Sequence, residues 1–283
     1  MIVESVTRGS NSAGRVAVAI VLISLSVAAG CSVSPEQERQ IGLSEAQQVD
    51  SEMPLIRDTM ITRFVTSVGQ SMASRTSRAN LDWHFSVVNS PEVNAFALPG
   101  GFIYVNRGAI EQADRFDELA GIMGHEIGHV VRRHSANQIE QTERDQVGVL
   151  LLCTMTVACR TIGGRMAIRI GADAKTAHYS QKDEAQADSE GVVNTLRAGI
   201  DPEGLPSFFQ KLLDTRAQQP TAVEAFFSTH PTDQSRVSAT RKQISELPNV
   251  AGRQLVRDNT EFHAIQAYLK TIPPPPKAPP PPR

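Results

Sequence analysis

Gly124-His125-Glu126-Ile127-Gly128-His129 places two histidines and a glutamate in a His-Glu-x-x-His run inside a stretch that reads as helix. Four residues advance an α-helix by about 400°, so the two imidazoles stand about 40° apart on one face. That spacing suits a single Zn²⁺ per chain, held by His125 and His129, with Glu126 beside the metal as general base. The implied chemistry is metal-assisted hydrolysis of peptide bonds. A catalytic zinc also needs a third protein ligand and a position kept for water. A His-x-x-Gly-x-x-His continuation would supply it, but Arg132 replaces the glycine and Ser135 the last histidine. His134 projects about 140° round the same wheel from His129 and is expected at the surface or as a cap.

The third ligand is then expected downstream. Glu184-Ala185-Gln186-Ala187-Asp188 offers two acids four residues apart on one face of a second helix. One can bind the metal while the other accepts a hydrogen bond from a ligand histidine and fixes its tautomer. A solvated acidic face is the plainer reading of such a pair. Asp183 and Glu190 compete, but neither has an acid four residues further on.

These residues need rigid elements around them. The metal helix is expected to start at Asp114 as N-cap, with Asp117 and Glu118 in its first turn and Arg132, Arg133 and His134 late, matching the helix dipole. Gly121, Gly124 and Gly128 form a stripe beside the histidines. Glycine costs a helix interior up to about 1 kcal/mol relative to alanine, so close approach of another backbone, such as a sheet, is expected there. Trp83–Val88, Asn94–Leu98 and Phe102–Val105 read as strands, the last two separated by the turn Pro99-Gly100-Gly101. Pro35–Asp50, Pro54–Ser74, Lys182–Ala198, Pro202–Arg216 and Thr232–Ser245 read as helices, and Arg253–Lys270 as mixed or helical. The fold class is therefore α+β, mostly helical, with a small β-sheet beside the metal helix.

Four stretches taken together resemble a known family. They are Asn94-Ala95-Phe96-Ala97-Leu98-Pro99-Gly100-Gly101; Glu118-Leu119-Ala120 leading into His125–His129; Tyr179-Ser180-Gln181-Lys182-Asp183-Glu184 with Ala187-Asp188; and Ser228-Thr229-His230-Pro231 with Arg236. In this order they are similar to the gluzincin metallopeptidases, the zincin-like family of the CAAX prenyl endopeptidases and HtpX-type proteases. The likeness is greatest to the exported BepA and LoiP-type lipoprotein branch. It covers roughly residues 35–246 and departs at Gln181, where the family usually carries arginine. The resemblance implies His125, His129 and Glu184 as metal ligands, Glu126 as base and Asp188 as the residue orienting a ligand histidine. It implies that His230 lies near the metal, to gate it or to polarise the scissile carbonyl. Arg236 is expected to stabilise an oxyanion or to pair with an acid on its own helix. Asn94, Ala95, Phe96 and Ala97 would form an edge strand that holds an extended peptide.

The rest of the chain bears on location. Of 283 residues 40% are hydrophobic, enough for one core with tails, and a net charge of -2 gives no basic footprint for nucleic acid. Arg8 and Arg15 precede an uncharged apolar run from Val16 to Ala29, the length of a signal-peptide core and short of a bilayer span. It ends in Ala28-Ala29-Gly30-Cys31, which resembles a lipoprotein processing site despite alanine where leucine is usual. Residues 1–30 are thus expected to be a signal peptide and Cys31 a lipidated N-terminus. An uncleaved anchor or an ordinary secretory signal are the other readings, and all three export the protein. Ser32, where aspartate would retain a lipoprotein in the inner membrane, points to the outer membrane of a periplasmic location. The peptidase domain is expected over 31–271, with a proline-rich tail over 272–283. Cys153 and Cys159 are either a disulfide or two buried thiols, and helix between them would hold them too far apart to bridge. Val147–Ala158 is apolar enough for a buried helix or a flap. Substrates are expected to be polypeptides, misfolded or misassembled envelope proteins. The alternatives are a chaperone or assembly factor working with the outer-membrane assembly machinery, its protease latent, and a purely structural zinc site.

Overall fold

The computed structural model describes residues 32–142, 144, 179–248, 250 and 252–274. The expectations for the signal peptide, Cys31, Val147–Ala158, Cys153, Cys159 and most of the proline tail fall outside these residues. The chain divides into two compact units. One comprises 1–34 with 138–172; within it the Val33 amide donates to Glu140 Oε1 (2.9 Å). The other, 35–137 with 173–283, contains everything described below. Among the described residues no helix is long and apolar enough to cross a membrane.

The elements run α1 (Pro35–Glu52), β1 (Leu55–Ile56), α2 (Thr59–Ala73), β2 (His84–Val88), β3 (Ala95–Leu98), β4 (Phe102–Asn106), α3 (Arg107–Gln112), α4 (Phe116–Val131), α5 (Gln181–Arg197), α6 (Gly204–Gln218), α7 (Pro220–Thr229), α8 (Gln234–Glu246) and α9 (Thr260–Leu269). The α+β class is as expected: helices predominate round one four-stranded sheet of order β1-β2-β4-β3. β2 and β4 are parallel, while β1 and β3 flank them antiparallel. β3 is thus an edge, paired with β4 from Ala95↔Val105 to Leu98↔Phe102. The turn joining them holds Gly100 at φ 80° and Gly101 at φ 108°, backbone that only glycine adopts cheaply.

Several boundaries differ from the sequence reading. Pro54–Ser74 is not one helix. Leu55–Ile56 pairs with β2, and α2 begins only after Asp58, whose carboxylate accepts from the Met60 and Ile61 amides. α4 starts one residue later than expected. Its N-cap is Arg115, and Asp114 serves outside the helix, its amide donating to Glu118 Oε2 (2.8 Å). Pro220 opens α7, absent from the sequence reading, at its first turn.

The core gathers around α4, every residue of which from Phe116 to Val130 is buried. Phe208 and Phe209 of α6, Phe226 of α7 and Phe262 of α9 fill its surroundings. The glycine stripe faces helices rather than the sheet. A Cβ on Gly128 would fall 2.7 Å from the Ala187 carbonyl oxygen of α5, and one on Gly121 would fall 2.6 Å from the Leu205 amide nitrogen of α6. The absent side chains let α5 lie against α4 backbone to backbone, which brings its carboxylates within reach of the histidines.

α1 is fastened to this body by a buried carboxylate. Glu38 accepts from Arg78 (2.7 and 3.1 Å) and from Arg133 (2.8 Å). α1 also packs on the turn after β3, with Gly42 against the Pro99 carbonyl.

Candidate metal centre

α4 presents His125 and His129 from successive turns. α5 supplies Glu184 and Asp188, and His230 follows the last residue of α7. His125, His129, Glu184 and His230 each offer one ligand atom, all within 4.8 Å of one another, and all four residues are buried. The Nε2 atoms of His125 and His129 are 3.0 Å apart. His230 Nδ1 lies 3.3 Å from His125 Nε2 and 3.2 Å from Glu184 Oε1. His129 Nε2 stands 3.4 Å from Glu184 Oε1.

The residues fit a divalent cation. Ligands about 2.0–2.2 Å from a tetrahedral ion lie about 3.3–3.6 Å from each other, the scale of these separations. His125 Nδ1 donates to Asp188 Oδ1 (2.8 Å), which leaves its Nε2 a bare lone pair aimed at the common centre. Lone pairs converging at this distance are mutually repulsive without a positive charge between them. The three imidazoles and one carboxylate bring a single negative charge, suited to a borderline ion such as Zn²⁺.

Glu126 lies beside this cluster, fully buried. Neither carboxylate oxygen has a hydrogen-bond partner among the described residues, and Oε1 is 3.4 Å from His230 Nε2. Burial raises its carboxyl above the usual range, although the charges of His230 and His125 oppose this. Burying a carboxylate without a hydrogen bond is costly, and such groups cluster at functional sites. Burial also pushes His129 well below the ordinary imidazole value. Burial alone would raise Asp188, but the Arg236 hydrogen bond holds its carboxyl below normal.

Arg236 is placed by α8, whose N-cap Asp233 accepts from its amide (2.9 Å). Its Nε and Nη2 donate to the two oxygens of Asp188 (2.6 and 2.7 Å), and Nη1 stands 2.5 Å from Glu184 Oε2. Both acids lie on α5, not on its own helix. The guanidinium also covers the Phe209 ring, 4.5 Å from its centroid.

Asn94 and the strand it precedes sit close by. Asn94 Oδ1 accepts from the Ala95 amide (2.9 Å) and from Thr229 Oγ1 (3.4 Å), the residue before His230. Ala95 is buried, and Phe96 stacks on Tyr104 of β4 with centroids 5.0 Å apart.

His134 overturns its expectation. It is 2% exposed, with Nδ1 3.0 Å from His129 Nδ1 and Nε2 3.0 Å from Gln186 Oε1. The helical wheel does not apply to it, because α4 stops at Val131 and Arg133 at φ 59° turns the chain back toward the site. Tyr179 opens one of the four resembling stretches but has no role assigned from sequence: its ring stacks on His129 at 3.9 Å, and its hydroxyl bonds Ser135 Oγ (2.9 Å). Nothing in local periodicity reveals either contact, because both depend on chain beyond a helix end.

Comparison with known proteins gives the family. The model of peptidase family M48 matches residues 61–244. The chain is 30% identical over 251 residues to the beta-barrel assembly-enhancing protease of Escherichia coli K12, covering 86% of this chain and 50% of that protein. It is 29% identical over 248 residues to the protein of the same name in Yersinia pestis, covering 86% and 51%. It is 27% identical over 219 residues to the mitochondrial metalloendopeptidase OMA1 of Schizosaccharomyces pombe, covering 76% and 63%. The chain thus spans about half the length of the two bacterial relatives. With the family match running from α2 through α8, and so across every element that contributes to the histidine–carboxylate cluster, the chain belongs to peptidase family M48 and is a metallopeptidase.

Proposed function

We propose that this chain is a zinc endopeptidase of the bacterial cell envelope, exported and lipid-anchored through Cys31 to the outer membrane, that hydrolyses misfolded or misassembled envelope proteins. The observation that carries the hydrolytic reading is the buried Glu126 carboxylate, without a hydrogen bond among the described residues, beside four convergent ligand groups. The export reading is supported by Ala28-Ala29-Gly30-Cys31 and by the names of the bacterial relatives.

His125, His129 and Glu184 would hold Zn²⁺, which supplies Lewis-acid activation of water and of the scissile carbonyl. Glu126, its basicity raised by burial, takes the proton from the attacking water and passes it to the departing amide nitrogen. Asp188 orients His125, and Arg236 holds Asp188 and Glu184 in place. The outer edge of β3 with the residue before it, at Asn94, Ala95, Phe96 and Ala97, receives the peptide as an added strand. His230, the fourth convergent group, would take the position that a catalytic metal keeps for water and so gate the site at rest.

Glu126→Gln tests this. The variant should bind zinc like the parent and lose at least about 100-fold in cleavage of an unfolded protein. Parent-like cleavage would remove Glu126 from the reaction. A second reading, an assembly factor with a latent protease, is supported by the relatives' printed name. Full rescue of envelope assembly by Glu126→Gln in a deletion strain would favour it, and no rescue would favour the protease.

A further inference from the structure

We propose that His134 is a positioning residue that sets the tautomer of His129, so that His129 Nε2 is free to bind metal. The inference rests on His129 being a ligand, as argued above.

The imidazoles of His134 and His129 meet through their Nδ1 atoms at 3.0 Å, so one Nδ1 carries a proton and the other accepts it. The direction decides whether His129 is a ligand. If His134 donated, His129 would accept at Nδ1 and carry its own proton on Nε2, which faces His125 Nε2 and Glu184 and would then have no lone pair for a metal. The far side of His134 selects the other direction. Its Nε2 faces Gln186 Oε1 at 3.0 Å and Asp183 Oδ1 at 3.6 Å. Asp183 cannot act as a donor there, because a carboxylate only accepts. Its other oxygen, Oδ2, is engaged by the amide and hydroxyl of Ser180 in the capping box that starts α5 (3.1 and 2.7 Å). The carboxylate therefore favours the proton of His134 on Nε2, and the Gln186 amide turns its oxygen to that proton. His134 Nδ1 is left as a lone pair, accepts from His129 Nδ1–H, and leaves His129 Nε2 bare.

The two ligand histidines are thus oriented by different means. His125 donates to a carboxylate held by Arg236, and His129 donates to a neutral imidazole held by the first two turns of α5. Tyr179, stacked on His129, limits rotation of the ring out of this line. The same short stretch, 179–186, supplies the stacking ring, the cap and both acceptors, and it carries Glu184 as well.

Histidine Nδ1 is bonded to Cγ, as is the side-chain oxygen of asparagine. The terminal atoms of glutamine lie one bond further out, where Nε2 does. His134→Asn should therefore restore the acceptor facing His129, whereas His134→Gln and His134→Leu should not. The test uses the full chain with ¹⁵N-labelled histidine. Two-bond nitrogen–proton spectra of the metal-free protein read the His129 tautomer, and competition against a chromophoric chelator reads Zn²⁺ affinity. The parent and His134→Asn should show His129 protonated on Nδ1 and bind zinc within about threefold of each other. His134→Leu and His134→Gln should bind about 10- to 100-fold more weakly and move the His129 proton to Nε2. Parent-like affinity and tautomer in His134→Leu, or equal behaviour of the Asn and Gln variants, would overturn the proposal. A parent that binds no zinc but shows the Nδ1 proton, lost in His134→Leu, would sink the metal reading and leave the relay standing.

Discussion

Arg236 illustrates how much a single residue type leaves open. In the sequence it is a cation near the site, suited to an oxyanion or to an acid one turn away. The structure places all three of its nitrogen arms against Asp188 and Glu184. Lysine has one ammonium and cannot serve both carboxylates with that planar fork. Arg236→Lys should therefore weaken zinc binding about tenfold, read by chelator competition, with a matching loss of activity at limiting metal. Unchanged affinity with reduced kcat would return Arg236 to the oxyanion. For His230 the expected outcome is an opened site: His230→Ala should cleave a short unstructured peptide several-fold faster while holding zinc less tightly, measured in the same two assays. Slower cleavage at saturating metal would instead favour polarisation of the carbonyl. Residue-level legibility is greatest where spacing and helix period act together, as at His125, His129, Glu184 and Asp188. It is least for His134, since a wheel has no meaning past Val131.

The glycine seam is a property of elements. Gly121, Gly124 and Gly128 announce a close approach, but their spacing does not say of what, because α4 is buried on every side and its polarity has no single direction. The partners are α5 and the start of α6. Adding a methyl at Gly128 meets backbone at Ala187, which cannot rotate away. Gly128→Ala should cost about 1–3 kcal/mol in urea unfolding and also weaken zinc binding, because Glu184 rides on the displaced helix. Loss of stability with full zinc affinity would mean that the seam packs the core without placing the ligand. Strands and long helices are legible from alternation and from the 3.6-residue period. β1 is not, being two residues long, and α7 is not, because Gln219-Pro220 reads as a break although proline also opens helices.

At the scale of the whole molecule, the donors come from distant parts of the chain: His125 and His230 are 105 residues apart, and His230 and Glu184 are 46 apart. A metal bound there adds to folding free energy by mass action, about 4 kcal/mol when free metal is about a thousandfold above its dissociation constant. Chelation should accordingly lower the thermal midpoint by roughly 10 °C, followed by calorimetry, and excess zinc should restore it. An unchanged midpoint would argue against a tightly held ion. The order of the four motifs along the chain makes this convergence readable from sequence. The role of α1 is not readable there, since Glu38 looks like any other acid on a polar helix until Arg78 and Arg133 close on it. The distance between the donors along the chain has a consequence for biosynthesis. A nascent peptide carrying only the first two imidazoles lacks the Glu184 carboxylate, which emerges later on α5. A complete set of metal ligands is thereby withheld until that later helix has been made and packed against α4, and a growing copy is spared from its own catalysis.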